Sequence, residues 1–309
     1  SKYLAFSASS GRAMVELNES YTNLHIIDAL LDDNKKQTNW DRELTKAIFE
    51  LLIPNEFKIS FRNQQNILLI LDHKTASYPW ELLNYDENLE MPIVVSAGMI
   101  RQLATSHSRK MIKPVVKNTA LIIGDPILEK ESGVPQLPEA AVEATMVDTI
   151  LKANGYETTP RIKEPFKEIF KKLYDEYKII HIASHGVIDY GEDKKTGILL
   201  SNNIVLTAAE INQISSTPEL VFINSCYMGE VNAEKEKYFR GKHRLAANIG
   251  VQFIENGVKA VVVAGWAVDD SAAKRFAEVF YDKMLAGEFF AEAVKAARRV
   301  CFHEFPRTN

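Results

Sequence analysis

Four short runs limit what this chain can fold into: TALIIG (119–124), YKIIHIAS (177–184), ELVFINS (219–225) and VKAVVVAG (258–265). Each is rich in Ile or Val and is apolar at consecutive positions. A strand wetted on one face alternates polar and apolar residues, whereas a strand buried on both faces does not. The runs therefore predict a parallel sheet covered on both sides. Helical spacing lies between them. Over 138–154, Pro138 suits a first helical position, Val142, Met146, Val147, Ile150 and Leu151 form one apolar stripe, and Gly155 supplies a stop. Over 163–176, Phe166, Ile169, Phe170 and Leu173 repeat the pattern. Further helices are expected over 245–256, 271–286 and 288–300, bounded by Gly257 and Gly287. Strand alternating with helix is the α/β class, with right-handed crossovers and a doubly covered sheet.

The first 115 residues are less regular. NWDRELTKAIFELLI reads as a helix, NILLILD (66–72) as a strand and YPWELL as a tight lead-in to a helix or turn. The basic stretch KMIKPVVKN (110–118), with Pro114, precedes the clear alternation. It divides the chain into residues 1–115 and 116–309.

Composition then excludes classes. A chain of 309 residues holds one large domain or two ordinary ones. A net charge of −4 gives no electrostatic reason to expect nucleic acid. The two cysteines, Cys226 and Cys301, make no disulfide framework and point to a reducing compartment such as the cytoplasm. No apolar run reaches the ~18 residues of a membrane span, and no signal peptide opens the chain, so no membrane contact is expected. The abrupt start at SKYLAF and the end at HEFPRTN are read as the limits of a piece of a longer protein. IIGDPILEKESG lacks both G-x-G-x-x-G and a G-K-[ST] ending, so no nucleotide cofactor is expected.

Two buried strands end in reactive residues. YKIIHIASHG runs into His185-Gly186, and ELVFINSC runs into Cys226. Ligands of open parallel sheets bind beyond the carboxyl ends of the strands. If the two strands are neighbours, imidazole and thiol face one crevice, an arrangement suited to nucleophilic catalysis. Gly186 has no Cβ to block a substrate, and its N–H with that of Cys226 suits an oxyanion. Packing is the plainer account of a lone Cys or a lone His. The joint occurrence, Ser-His-Gly and then Cys, each closing a buried run, favours chemistry. His181 and His185 are four apart, but in a strand that spacing separates them by ~13 Å, so no metal is expected. Asp269 and Asp270 suit the cap of the next helix. The charged segment 229–244 is either a solvated loop or one that orders on activation.

The motifs as a set resemble a family. HIASHG followed by NSCYMG resembles the caspase-like cysteine peptidases of clan CD, and within them the CHAT branch, named for caspase-like domains found with TPR repeats. ILLILDHKTASYPWELL, LIIGDP…LPEAAVEA, GILLSNNIVLTAAEI and VKAVVVAGWAVDDSAA are similar to further elements of that branch, in the family order, over roughly residues 45–305. The resemblance implies a caspase-like α/β fold, a mostly parallel sheet flanked by helices, and an N-terminal half like the pseudo-protease half of separases. It implies His185 and Cys226 as catalytic dyad, and Gly186 with Cys226 as oxyanion hole. Asn224-Ser225 stands where caspases have Gln-Ala. By the same resemblance, Leu137, Asn224, Ala267 and Trp266 line the P1 pocket, which predicts a neutral, apolar P1 residue. Asp189, on the loop after the histidine, would favour a basic one if it turned inward. The expected partners are a protein substrate and a regulatory TPR-like or sensor module that keeps a resting state inactive. The competing reading is a catalytically idle binding module on the same fold.

Overall fold

The computed structural model describes residues 3–6, 9–10, 13–14, 18–21, 26–27, 29–30, 41–63, 65–78, 80–86, 88–105, 109–129, 134–190, 194–201, 204–225, 242–264 and 269–305. Two short antiparallel ladders lie in the first 21 residues. Helix α1 (Arg42–Leu52) starts at Asp41, whose carboxylate accepts from the Leu44 N–H. Helix α2 (Asn55–Asn63) follows Pro54. Strands β1 (Ile67–Leu71) and β2 (Met99–Leu103) pair in parallel. Between them, YPWELL contributes a 3₁₀ turn over Trp80–Leu82.

The main sheet begins with β3 (Thr119–Gly124), helix α3 (Pro138–Ala153) and β4 (Glu157–Ile162). Helix α4 (Phe166–Leu173) leads to β5 (Ile179–Ala183). An antiparallel unit then stands off the sheet: β6 (Gly186–Tyr190), β7 (Lys195–Ser201) and β8 (Ile204–Leu206). Short helix α5 (Ala208–Asn212) carries a capping box from Thr207 and Glu210. Next come β9 (Leu220–Asn224), α6 (Lys242–Glu255), β10 (Ala260–Val263), α7 (Asp270–Leu285) and α8 (Phe290–Glu304).

The sheet order is β10-β9-β5-β3-β4, parallel throughout. The first strand of the sheet, β3, lies inside it, and later strands are added on both of its sides. The order therefore reverses between β3 and β5, where an open α/β sheet leaves a crevice at the carboxyl edge. Alternate residues serve opposite cores. Leu121, Ile123, Ile180, Ile182, Val221 and Ile223 pack with α4 and with Ile249 and Phe253 of α6. Ala120, Ile122, Ile179, Leu220 and Phe222 pack with α3, α7 and α8. The sheet is the doubly covered α/β one that the apolar runs predict.

Three details differ from the sequence reading. In α3 the buried face is Ala141, Ala144, Val147 and Leu151; Met146 and Ile150 are partly buried and Val142 is exposed. The cause is the closeness of α3 to β3. A Cβ on Gly124 would lie 2.3 Å from the Ala144 Cβ, so only small residues fit that contact. Strand β4, ETTPRI, had no apolar run to announce it; it is an edge strand and tolerates Pro160. Strand β2 was likewise not expected. Among the described residues no helix is long and apolar enough to cross a membrane.

A third core holds Ile48, Phe49 and Leu52 of α1 with Trp80, Leu83, Ile93 and Met99, and Phe302 of α8 packs against it. Trp80 donates its indole N–H to the Thr75 carbonyl (2.7 Å). Glu81 pairs with Arg101 and has Arg298 of α8 within 4.0 Å. The Trp-Glu of YPWELL thus locks its own turn and reaches the last helix.

Candidate active site

Strands β5 and β9 are direct neighbours, with Ala183 opposite Asn224. The pairing runs on one step, since the Ser184 N–H donates to the Asn224 carbonyl (3.1 Å). Ser184 and Ser225 therefore leave the sheet side by side at its carboxyl edge, and His185 follows Ser184. Cys226 is the next residue in sequence and lies outside the described residues, as do Trp266, Ala267, the Asp189 side chain and most of segment 229–244.

The turn after β5 is fixed by Leu199 of β7. Its carbonyl accepts from the Ser184 hydroxyl (2.7 Å), and its N–H donates to the His185 carbonyl (2.8 Å). That second bond marks Gly186 and Ile198 as a pair of the non-hydrogen-bonded kind in the ladder. The Gly186 N–H is therefore not used by that ladder, as an oxyanion donor requires.

His185 is 3% exposed, and its Nε2 lies 2.7 Å from the Pro135 carbonyl oxygen. A carbonyl only accepts, so Nε2 carries the proton and Nδ1 is the nitrogen for proton exchange. The Pro135 carbonyl has a support of its own. Asp125, just after β3 with φ 48°, is buried, and its Oδ1 accepts from the Leu137 N–H and the Gln136 amide, both at 2.7 Å. Gln136 also bonds the Pro126 carbonyl and the Leu128 N–H. Gly-Asp-Pro after β3 thus clamps the loop that orients the imidazole. The sequence reading missed Pro135 because the group is a backbone carbonyl; the Asp after Gly124 was its only signal.

A small cavity beside this edge is lined by Leu137, Glu139, Ala140, Glu143, Ser184, Asn224 and Asp270. Leu137 and Asn224, two of the expected P1-pocket residues, therefore share one cavity. Asp269 is the helix cap, accepting from Ser271 and Ala272 N–H groups, and Asp270 is the first residue of α7.

Beneath the cavity is a buried polar chain that sequence reasoning also missed. Asn224 Nδ2 donates to Glu143 Oε2 at 2.6 Å. Glu143 Oε1 is 3.2 Å from His181 Nε2, in contact but not aligned as a hydrogen bond. His181 Nδ1 is 3.2 Å from the Tyr281 hydroxyl, and its ring stacks on Phe222 at 5.0 Å. Glu143 is 2% exposed, and His181 and Tyr281 are fully buried. Burial, then the Glu143 charge, pushes Tyr281 well above its ordinary value, so its hydroxyl keeps its proton. His181 thus serves the core, four residues before His185. Among the described residues no three His, Cys, Asp or Glu side chains are grouped to hold a metal ion.

Two solved structures are similar in outline. The Arg-specific cysteine proteinase gingipain R (RgpB) is 9% identical, with 91% of this chain and 71% of that one covered and a TM-score of 0.47. The complex of Porphyromonas gingivalis RgpB pro- and mature domains is 11% identical, with 91% and 72% covered and a TM-score of 0.46. At such identity and TM-score neither likeness carries an argument about activity. None of the curated proteins compared with the chain matches it. The family model of the CHAT domain matches residues 42–307. The chain belongs to the CHAT domain family, and that membership supports a caspase-like cysteine peptidase in general terms.

Proposed function

We propose that this protein is a cysteine endopeptidase that cuts a protein substrate through the dyad of His185 and Cys226. The observation that carries the reading is the Pro135 carbonyl on His185 Nε2 (2.7 Å), at the end of the strand beside the one that leads to Cys226. An imidazole held in one tautomer by an acceptor is a positioned general base.

The steps follow. The Cys226 thiol gives its proton to His185 Nδ1, and the thiolate attacks the scissile carbonyl carbon. The carbonyl π pair moves onto oxygen, where the Gly186 and Cys226 N–H groups receive it. As the oxyanion collapses the C–N bond breaks, and His185 returns the proton to the leaving amine. Water, deprotonated by His185, then attacks the thioester and frees the thiol. No metal or cofactor is needed for these steps.

The pocket reading rests on Leu137 and Asn224 sharing the cavity, with Trp266 and Ala267 assigned to it by family pattern. Glu139 and Asp270 at its rim repel an acidic P1, and the Glu143 charge is engaged by Asn224 and His181. The same rim charges attract a basic P1, so the neutral preference, Leu or Met, rests on the uncharged Leu137 and Asn224 and, by family pattern, Ala267. We place the enzyme in the cytoplasm, regulated by a TPR-like or sensor module; segment 229–244 is the loop proposed to order on activation.

The test compares wild type with Cys226→Ala on a co-encoded protein and on peptides that vary only at P1. Cleavage by wild type alone, best after Leu or Met, is expected. Equal behaviour of the two proteins returns the fold to an idle binding module, and preferred cutting after Arg or Asp overturns the neutral pocket.

A further inference from the structure

Helix α3 and the loop before it are tied to both strands that lead to the proposed dyad. Its N-terminal loop presents the Pro135 carbonyl to His185. In its second turn Glu143 accepts from Asn224, the last residue of β9 and two before Cys226. The other oxygen of the same carboxylate faces His181 on β5. His181 and Phe222 are register partners, so the carboxylate spans the two strands that lead to the catalytic residues.

The chemistry of Glu143 suits that place. With the Tyr281 hydroxyl donating to His181 Nδ1, the His181 proton sits on Nε2, 3.2 Å from Glu143 Oε1 without the alignment of a hydrogen bond. Asn224 donates to Oε2. A carboxylate is the one side chain that offers two acceptor oxygens and no donor. Buried carboxylates are costly unless engaged, so a reason for keeping one here is needed.

We propose that Glu143 is a positioning residue: by holding Asn224 and His181 from helix α3, it sets the separation of thiol and imidazole, given the peptidase reading. The prediction is reciprocal. Asn224→Asp replaces the donor with a second carboxylate about 2.6 Å from the first, the distance of the present bond. Two carboxylates at that separation must share a proton. Adding Glu143→Gln then restores a donor facing an acceptor with the polarity reversed. The amide nitrogen introduced on α3 donates to the carboxylate introduced on β9, and the amide oxygen faces His181.

The experiment measures kcat and KM on the full chain, together with the rate of Cys226 alkylation by iodoacetamide, between pH 5 and 8. Misplacement of reacting groups by an ångström costs up to about a hundredfold, so Asn224→Asp is expected to lower kcat at pH 7.5 by about tenfold or more, beyond any change in KM that follows from its place in the cavity lining. Glu143→Gln alone loses less. The double variant, which keeps a hydrogen bond between positions 224 and 143 and guards against a single variant that fails to fold, recovers to within about threefold of wild type. Three results overturn the proposal: equal loss in a folded double variant, unchanged kcat in both single variants, or a changed P1 ranking and KM with kcat retained, which makes Asn224 a pocket residue only. Wild type that neither cleaves nor alkylates in a Cys226-dependent way overturns the peptidase reading itself. Reactive wild type without rescue overturns only the role of Glu143.

Discussion

Strands β1 and β5 look alike in sequence, NILLIL against YKIIHIA, and differ in what covers them. Every residue of β5 is buried. In β1 only Ile67 and Leu71 are buried, while Leu68 and Ile70 are 49% and 64% exposed. The sheet around β5 has helices on both faces, whereas the β1–β2 pair rests on one core of α1, the Trp80 turn and the edge of α8. A consecutive apolar run therefore identifies a strand, but two-sided burial also needs partners that a local pattern does not contain.

The sharpest break of this comparison is a matched truncation. Ile180→Ala, in the covered strand, should cost about 2–5 kcal/mol. Ile70→Ala, on the open face, should stay within about 0.5 kcal/mol. Denaturant unfolding of both variants reads the difference, and equal losses would mean that the face of β1 is covered. Next in size is Gly124→Ala. The new Cβ would meet Ala144 at 2.3 Å, and overpacking of this kind costs about 1–3 kcal/mol. Because α3 also carries the Pro135 loop, peptidase activity should fall along with stability.

A smaller effect tests the joint between the two regions. Burial tends to raise the Glu81 carboxyl, but the Arg101 charge and hydrogen bond, aided by Arg298, outweigh it and hold the group below its ordinary value of 4.5. A depressed carboxyl stabilises the fold above its unfolded value, and that contribution is lost as pH falls through the folded value. Glu81→Gln should therefore cost about 1–2 kcal/mol at pH 7 and flatten the decline in stability below about pH 4.5. Thermal unfolding at pH 7 and pH 3.5 checks it: an unchanged acid slope contradicts the assignment.

Legibility followed the same division. The buried strands β3, β5 and β9 were readable because two-sided burial leaves consecutive Ile and Val; β10, a half-buried edge strand, was readable because AVVV keeps the same pattern. Strand β4 was not, since an edge strand accepts Glu157, two threonines and Pro160. His185 was readable as a strand-end residue, but its Pro135 partner was not: the group is backbone, and it is placed by Asp125 ten residues away in sequence. Glu143 was hidden in a helix pattern. It lies four residues before Val147 and next to Ala144, on the face that meets the sheet, where a charge signals a buried partner.

The central claim is that His185 activates Cys226. It is tested most directly by the pH dependence of alkylation in wild type and His185→Ala. Cys301 serves as an internal reference: burial, then the Glu304 charge, pushes its thiol up to about 11, so it reacts slowly near neutrality. The account predicts that Cys226 in wild type reacts as a thiolate with a midpoint below the free-cysteine value of about 8.5, and that His185→Ala returns the midpoint to about 8.5. Identical profiles in the two proteins would contradict it.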